Sequence, residues 1–157
     1  MALDIGKMWS RIYGLVIFGW IIAVIRFALE ITAPDQAMFF GVYYGMVVAY
    51  LYYGIKGKMD DLSWARLAQA MVMIALLVWF IPNAIAYSVA QFMGWQHGRF
   101  AEETSGPIQP TASGKIMSGV GTAFGTFIGG TVWSLVLGTL FIWVPGLLRK
   151  RARKSSA

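Results

Sequence analysis

Ile116 to Val144 reads IMSGVGTAFGTFIGGTVWSLVLGTLFIWV, 29 residues without a charge. Gly121, Gly125 and Gly129 recur in it at every fourth position, and Ser118, Thr122, Thr126, Gly130, Ser134 and Gly138 form a second series at the same interval. Because an α-helix repeats every 3.6 residues, each series draws a slowly drifting stripe of small side chains. In water such a helix would be weak, since each interior glycine costs about 1 kcal/mol relative to alanine. In a bilayer the backbone has no other hydrogen-bond partner, so the helix is enforced, and small residues let a neighbouring helix come close. The stretch is therefore expected to be a membrane span. Gly121, Gly125 and Gly129 are expected to pack it inside its own bundle, with Ser118, Thr122 and Thr126 left for a second contact.

The rest of the chain agrees with that class. Of 157 residues, 58% are apolar and only 13% charged, with a mean hydropathy of +0.63. Soluble domains hold about 45–50% apolar and about 25% charged residues. The length allows one domain. Three further stretches are long enough for a hydrocarbon core of about 30 Å. The reading is an all-α integral membrane protein: four transmembrane helices in an antiparallel bundle, at about 8–31, 37–55, 64–93 and 116–144, with an outer loop at 94–115 and a basic tail at 149–157.

Span one is too long for a signal-peptide core and lacks a clean small-x-small site, so it reads as uncleaved. Pro34 and Asp35 make a tight connection to span two, where Phe39, Tyr43, Met46, Tyr50 and Tyr53 share a face. Gly41, Gly45 and Ala49 form a small-xxx-small stripe there, a second helix-packing candidate. Asp61 or Ser63 can cap span three. Pro82 lies inside that span, removes a backbone hydrogen bond and predicts a kink near Val78–Pro82. Span four is expected to end at Pro145-Gly146.

Of the 13 Lys and Arg residues, ten fall in three segments: Lys7 and Arg11; Lys56, Lys58 and Arg66; and Arg149, Lys150, Arg151, Arg153 and Lys154. The positive-inside rule then puts both termini and the second loop in the cytoplasm. A net charge of +6 distributed in this way is explained by topology, and no nucleic acid is expected as a partner. The tail would attract anionic lipids. Compactness and the lack of a targeting segment point to a prokaryotic inner membrane. With no cysteine and one histidine, neither a thiolate nor a bis-His metal site can be built by one chain, and no cofactor is identified.

Five polar residues are the candidate ligand-binding set. Arg26 and Glu30 stand one turn apart near the outer end of span one; they can simply pair, or Arg26 can snorkel or turn inward and offer its planar fork to an anion. Asn83, Tyr87 and Gln91 follow Pro82 at four-residue steps, either as interhelical glue or as the lining of a site beside a broken helix. His97, Arg99, Glu102 and Glu103 in the outer loop read as ordinary solvated residues, since no nucleophile pattern or catalytic motif accompanies them. The aromatic face of span two and mid-span Trp20, Trp79 and Trp133 read as bundle filling.

These residues leave three functions open. The first is binding or transport of a small amphiphile, lipid or anionic solute through an outward-facing polar site near Arg26 and Pro82. The second is a structural subunit whose glycine faces dock identical chains or a larger membrane complex. The third is a membrane-embedded enzyme using the outer loop.

Overall fold

The computed structural model describes residues 5–155. Residues 1–4, 156 and 157, and the side chains of Ile5 and of Arg153 and Lys154 in the expected basic tail, lie outside the described residues. The described residues are helical with no strand. Four helices, Gly6–Thr32, Pro34–Lys56, Trp64–Met93 and Ala112–Ala152, are long and apolar enough to cross a membrane, which fits a multi-pass membrane protein.

Helix α1 (Ile5–Thr32) leads through Ala33 to the single turn α2 (Pro34–Ala37), and α3 (Val42–Lys56) follows after a short break. The break removes Phe39 from the expected aromatic face: Phe39 is exposed, whereas Met46, Tyr50 and Tyr53 are buried. An added methyl group on the buried Gly41 would meet the ring of Tyr44, one turn along the same helix, while on Gly45 it would meet Ile22 and Phe18 of α1. Gly57 ends α3 in the left-handed conformation, at φ 66°, that glycine adopts without strain.

Helix α4 (Trp64–Ile74) starts at Ser63, whose Oγ accepts from the Arg66 N–H. Ala75–Phe80 is π-helical, and α5 (Ile81–Met93) continues the same rod to Gly94. A 3-10 turn, Gly98–Phe100, and the short α6 (Glu102–Ser105) follow, with Phe100 against Tyr87 of α5 and α6 against the next long helix. Helix α7 (Ala112–Gly138) begins four residues earlier than expected, because Thr111 Oγ1 accepts from the Gly114 N–H at 3.1 Å and acts as its N-cap. A second π-helical segment, Thr139–Trp143, leads into α8 (Val144–Ser155), so the helix runs through Pro145 instead of ending there.

Both internal prolines thus stand two residues beyond a π-helical segment. The wider turn accommodates a residue that lacks an N–H and crowds the preceding carbonyl. The carbonyl that Pro145 leaves without its usual donor belongs to Phe141, and it lies against Gly54 of α3, where a methyl group would overlap it.

Helix α1 packs on α3 and α4, α3 on the Thr139–Trp143 segment, and α5 on α7. Ile12, Leu15, Met46, Tyr50, Met71, Ile74 and Trp79 form the centre of the core, where the Tyr50 hydroxyl and Ser134 Oγ are 2.9 Å apart. Within the chain, α7 uses Gly119, Ala123, Gly130, Ser134 and Gly138, which are buried. Gly119 lies against the backbone of Ser88, Gly130 against the Trp79 ring and Gly138 against Met71. The expected packing of Gly121, Gly125 and Gly129 inside the bundle is therefore corrected. Gly121 and Gly125 have nothing near the position of a side chain, and Gly129 has only the Tyr43 hydroxyl, because the drifting stripe carries them to the outside.

At the end opposite α6, two arginines hold the connection between α3 and α4. Arg149 forms a bidentate pair with Asp60, both contacts at 2.7 Å, and donates to the terminal carbonyls of Gly54 and Ile55. Arg11 reaches Asp61 at 2.7 Å and the Lys58 carbonyl at 3.1 Å.

Candidate functional site

The polar centre of the molecule lies where α1, α5 and the loop at 94–111 meet. On α1, Arg26 Nε donates to Glu30 Oε1 at 3.0 Å, the pairing that their one-turn spacing allows. Glu30 is only 7% exposed. A second guanidinium shares it: Arg99 Nε, from the 3-10 turn, lies 2.8 Å from the Glu30 carboxylate. Arg99 also donates from Nη1 to Asn83 Oδ1. Asn83 Nδ2 in turn donates to the carbonyl of Trp79 at 2.6 Å, and Thr126 Oγ1 of α7 reaches the same carbonyl at 3.2 Å. A hydrogen-bonded chain therefore runs from Arg26 through Glu30, Arg99 and Asn83 to a backbone carbonyl inside the π-helical segment.

Arg99 is thus not the solvated loop residue that the sequence suggested. The cause is its neighbour Phe100, which is 1% exposed and packs edge-on to Phe27 and Tyr87, drawing the turn onto the bundle. Arg99 then stacks its guanidinium over the Tyr87 and Phe100 rings at 5.4 and 4.9 Å. Burial pulls its pKa below the ordinary arginine value and the charge of Glu30 opposes that shift. The usable signal in the sequence was an arginine beside a large apolar side chain inside an otherwise hydrophilic loop.

Of the five candidate residues, the structure brings Arg26, Glu30 and Asn83 together and puts Tyr87 beside them through Arg99. Gln91 does different work: its Nε2 donates to the Pro107 carbonyl at 3.3 Å and its Oε1 accepts from the Gln109 N–H at 3.0 Å, fastening the loop that leads to α7. His97, Glu102 and Glu103 are exposed, and among the described residues their side chains form no hydrogen bond or ion pair with the cluster.

A cleft of about 120 Å³ opens beside the cluster, lined by Trp20, Phe27, Pro82, Asn83, Arg26 and Arg99 among others. It has room for several water molecules or a small polar group. Trp20 is held in the wall by a 2.9 Å bond from its Nε1 to the Leu77 carbonyl. Arg26 makes one hydrogen bond, through Nε, and its two terminal nitrogens have no protein partner among the described residues. Two cations and one anion leave a surplus positive charge at this cleft, whose planar donors suit a carboxylate or phosphate. No side chain in the cluster is a nucleophile activated by a base. No protein-family model matches the chain, and comparison with curated proteins and with solved structures gives no match.

Proposed function

We propose that the chain is a polytopic membrane protein that binds or transports an anionic amphiphile, holding the anionic head between Arg26 and Arg99. In this reading the four helices form an antiparallel bundle with both termini cytoplasmic, span three is kinked at Pro82, and the cleft opens in the outer leaflet. The observation that carries it is the sharing of one carboxylate, Glu30, by two guanidinium groups at the edge of a cleft. Charges at such depth are costly unless paired, and an unmatched one commonly marks a ligand or ion path. Native mass spectrometry of the protein from mild detergent tests the reading. Wild type is expected to carry an anionic lipid or amphiphile, and Arg26→Gln to lose most of it while still folding. A bare wild-type chain, or equal retention by Arg26→Gln, overturns it.

A second reading, a non-catalytic assembly subunit, is favoured by the outward position of Gly121, Gly125 and Gly129. It predicts that Gly125→Leu changes the oligomeric state in detergent while leaving the chain folded; an unchanged size distribution would count against it.

A further inference from the structure

An apolar groove of about 600 Å³ runs along the outside of α1, lined by Trp9, Ile17, Trp20, Ile21, Val24 and Leu77 with their neighbours. Trp20 and Val24 line both this groove and the polar cleft at Arg26 and Arg99, so the two adjoin along α1. From Trp9 to Val24 the helix rises about 22 Å. The groove leaves the cleft toward the start of α1, away from Glu30 and the outer loop. An amphiphile with its head at Arg26 would have its chain run in that direction.

We infer that the groove receives the acyl chain of the same ligand, and that the ligand is a monoanionic phospholipid entering sideways from the bilayer. The inference rests on the headgroup reading above. Charge selects the class: one surplus positive charge matches a phosphodiester head with no other net charge, and two planar guanidinium groups suit its oxygens. Shape selects the source. A free anion would use the cleft and leave the adjoining groove without a role. Lipid tails are as apolar as the groove wall, so the groove adds little affinity and serves to orient one chain once the head is held.

The chain has no cysteine, so a single reporter can be placed without background. Ile17 lines the groove but not the cleft, and Val132 lies on the outer face of α7; both are more than half exposed, so cysteine at either spares the core. Ile17→Cys and Val132→Cys would carry a benzophenone and be photolysed in vesicles of equal phosphatidylglycerol and phosphatidylcholine. The cross-linked lipids are then read by mass spectrometry.

Phosphatidylglycerol is expected to exceed phosphatidylcholine about fivefold at position 17, the partition that one favourable charge produces at a membrane surface. The ratio is expected to be near one at position 132, and to fall to one at position 17 when Arg26→Gln is added. If phosphatidylglycerol is retained in an Arg26-dependent way but both positions give the same ratio, the groove assignment is overturned and the headgroup site stands. Enrichment at position 17 that survives Arg26→Gln also overturns it. If retention itself ignores Arg26, the headgroup reading fails and this inference with it.

Discussion

Arg99 and Glu30 are 69 residues apart in the chain and 2.8 Å apart in space. Their contact joins the loop between α5 and α7 to α1. Breaking a desolvated ion pair from one side leaves the other charge stranded, which costs more than the pair contributes while intact. Arg99→Ala is therefore expected to lower stability by about 2–4 kcal/mol, and the Arg99→Ala, Glu30→Ala double variant by less than the sum of the single losses. Thermal unfolding in detergent, run as a double-mutant cycle, measures this. Additive losses would show that the two side chains are not coupled.

Gly54 and Gly121 should respond in opposite senses to the same substitution. A methyl group on Gly54 meets the Phe141 carbonyl, a backbone atom that cannot rotate away, whereas one on Gly121 meets nothing. Gly54→Ala is expected to cost about 1–3 kcal/mol, as overpacking does. Gly121→Ala is expected to be neutral or to stabilise by up to about 1 kcal/mol through helix propensity. Unfolding midpoints of the two variants decide it, and equal midpoints would refute the packing described for α3.

The division between legible and hidden features follows from these contacts. The approximate extent of Trp64 to Met93 was legible because a start signal at Asp61 or Ser63 and a stop signal at Gly94 flank a strongly apolar run. The start of α7 was hidden because Ala112, Ser113, Gly114 and Lys115 have loop composition and only the Thr111 cap makes them helical. Its continuation past Pro145 was hidden because a proline reads as a stop unless a wider turn precedes it. The two small-residue stripes of α7 are alike as sequence, and what decides between them is the placement of Trp79 and Met71 on another helix. Arg26, Glu30 and Asn83 were legible because polar residues stand out in apolar spans. Arg99 was not, since a charge in a polar loop carries no such contrast.

The contact between Arg149 and Asp60 depends on a planar fork that also caps α3. Arg149→Lys keeps the charge but cannot make two parallel bonds to Asp60 together with bonds to the Gly54 and Ile55 carbonyls. Both Arg149→Lys and Arg149→Ala are expected to lose about 1–2 kcal/mol, a modest figure because the pair is partly solvated. Full rescue by lysine in a thermal melt would mean that charge alone is used.

Gln91 holds the loop between α5 and α7 through Pro107 and Gln109. Gln91→Ala should let this segment open more often, with amide exchange at Gln109 rising about five- to tenfold for the loss of roughly one net hydrogen bond. Exchange followed by mass spectrometry reports it, and unchanged protection of residues 107–111 would argue that other contacts fasten the loop.

The π-helical turn before Pro82 has a consequence for the phase of the helix. A single π turn holds one residue more than an α turn, and each residue in an α-helix advances the direction of its side chains by about 100°. Ala75–Phe80 therefore acts as a phase shifter between α4, whose buried face is Leu67, Ala70, Met71 and Ile74, and α5, which presents Asn83, Tyr87 and Gln91. Regularising positions 75–80 to an α-helix without removing a residue would leave the composition and hydropathy of the rod untouched. It would swing Asn83 by roughly a quarter turn, out of line with Arg99, whereas deleting one residue there would let the wide turn close and keep Asn83 in place. The site is thus encoded as much in the width of that turn as in the identity of its residues.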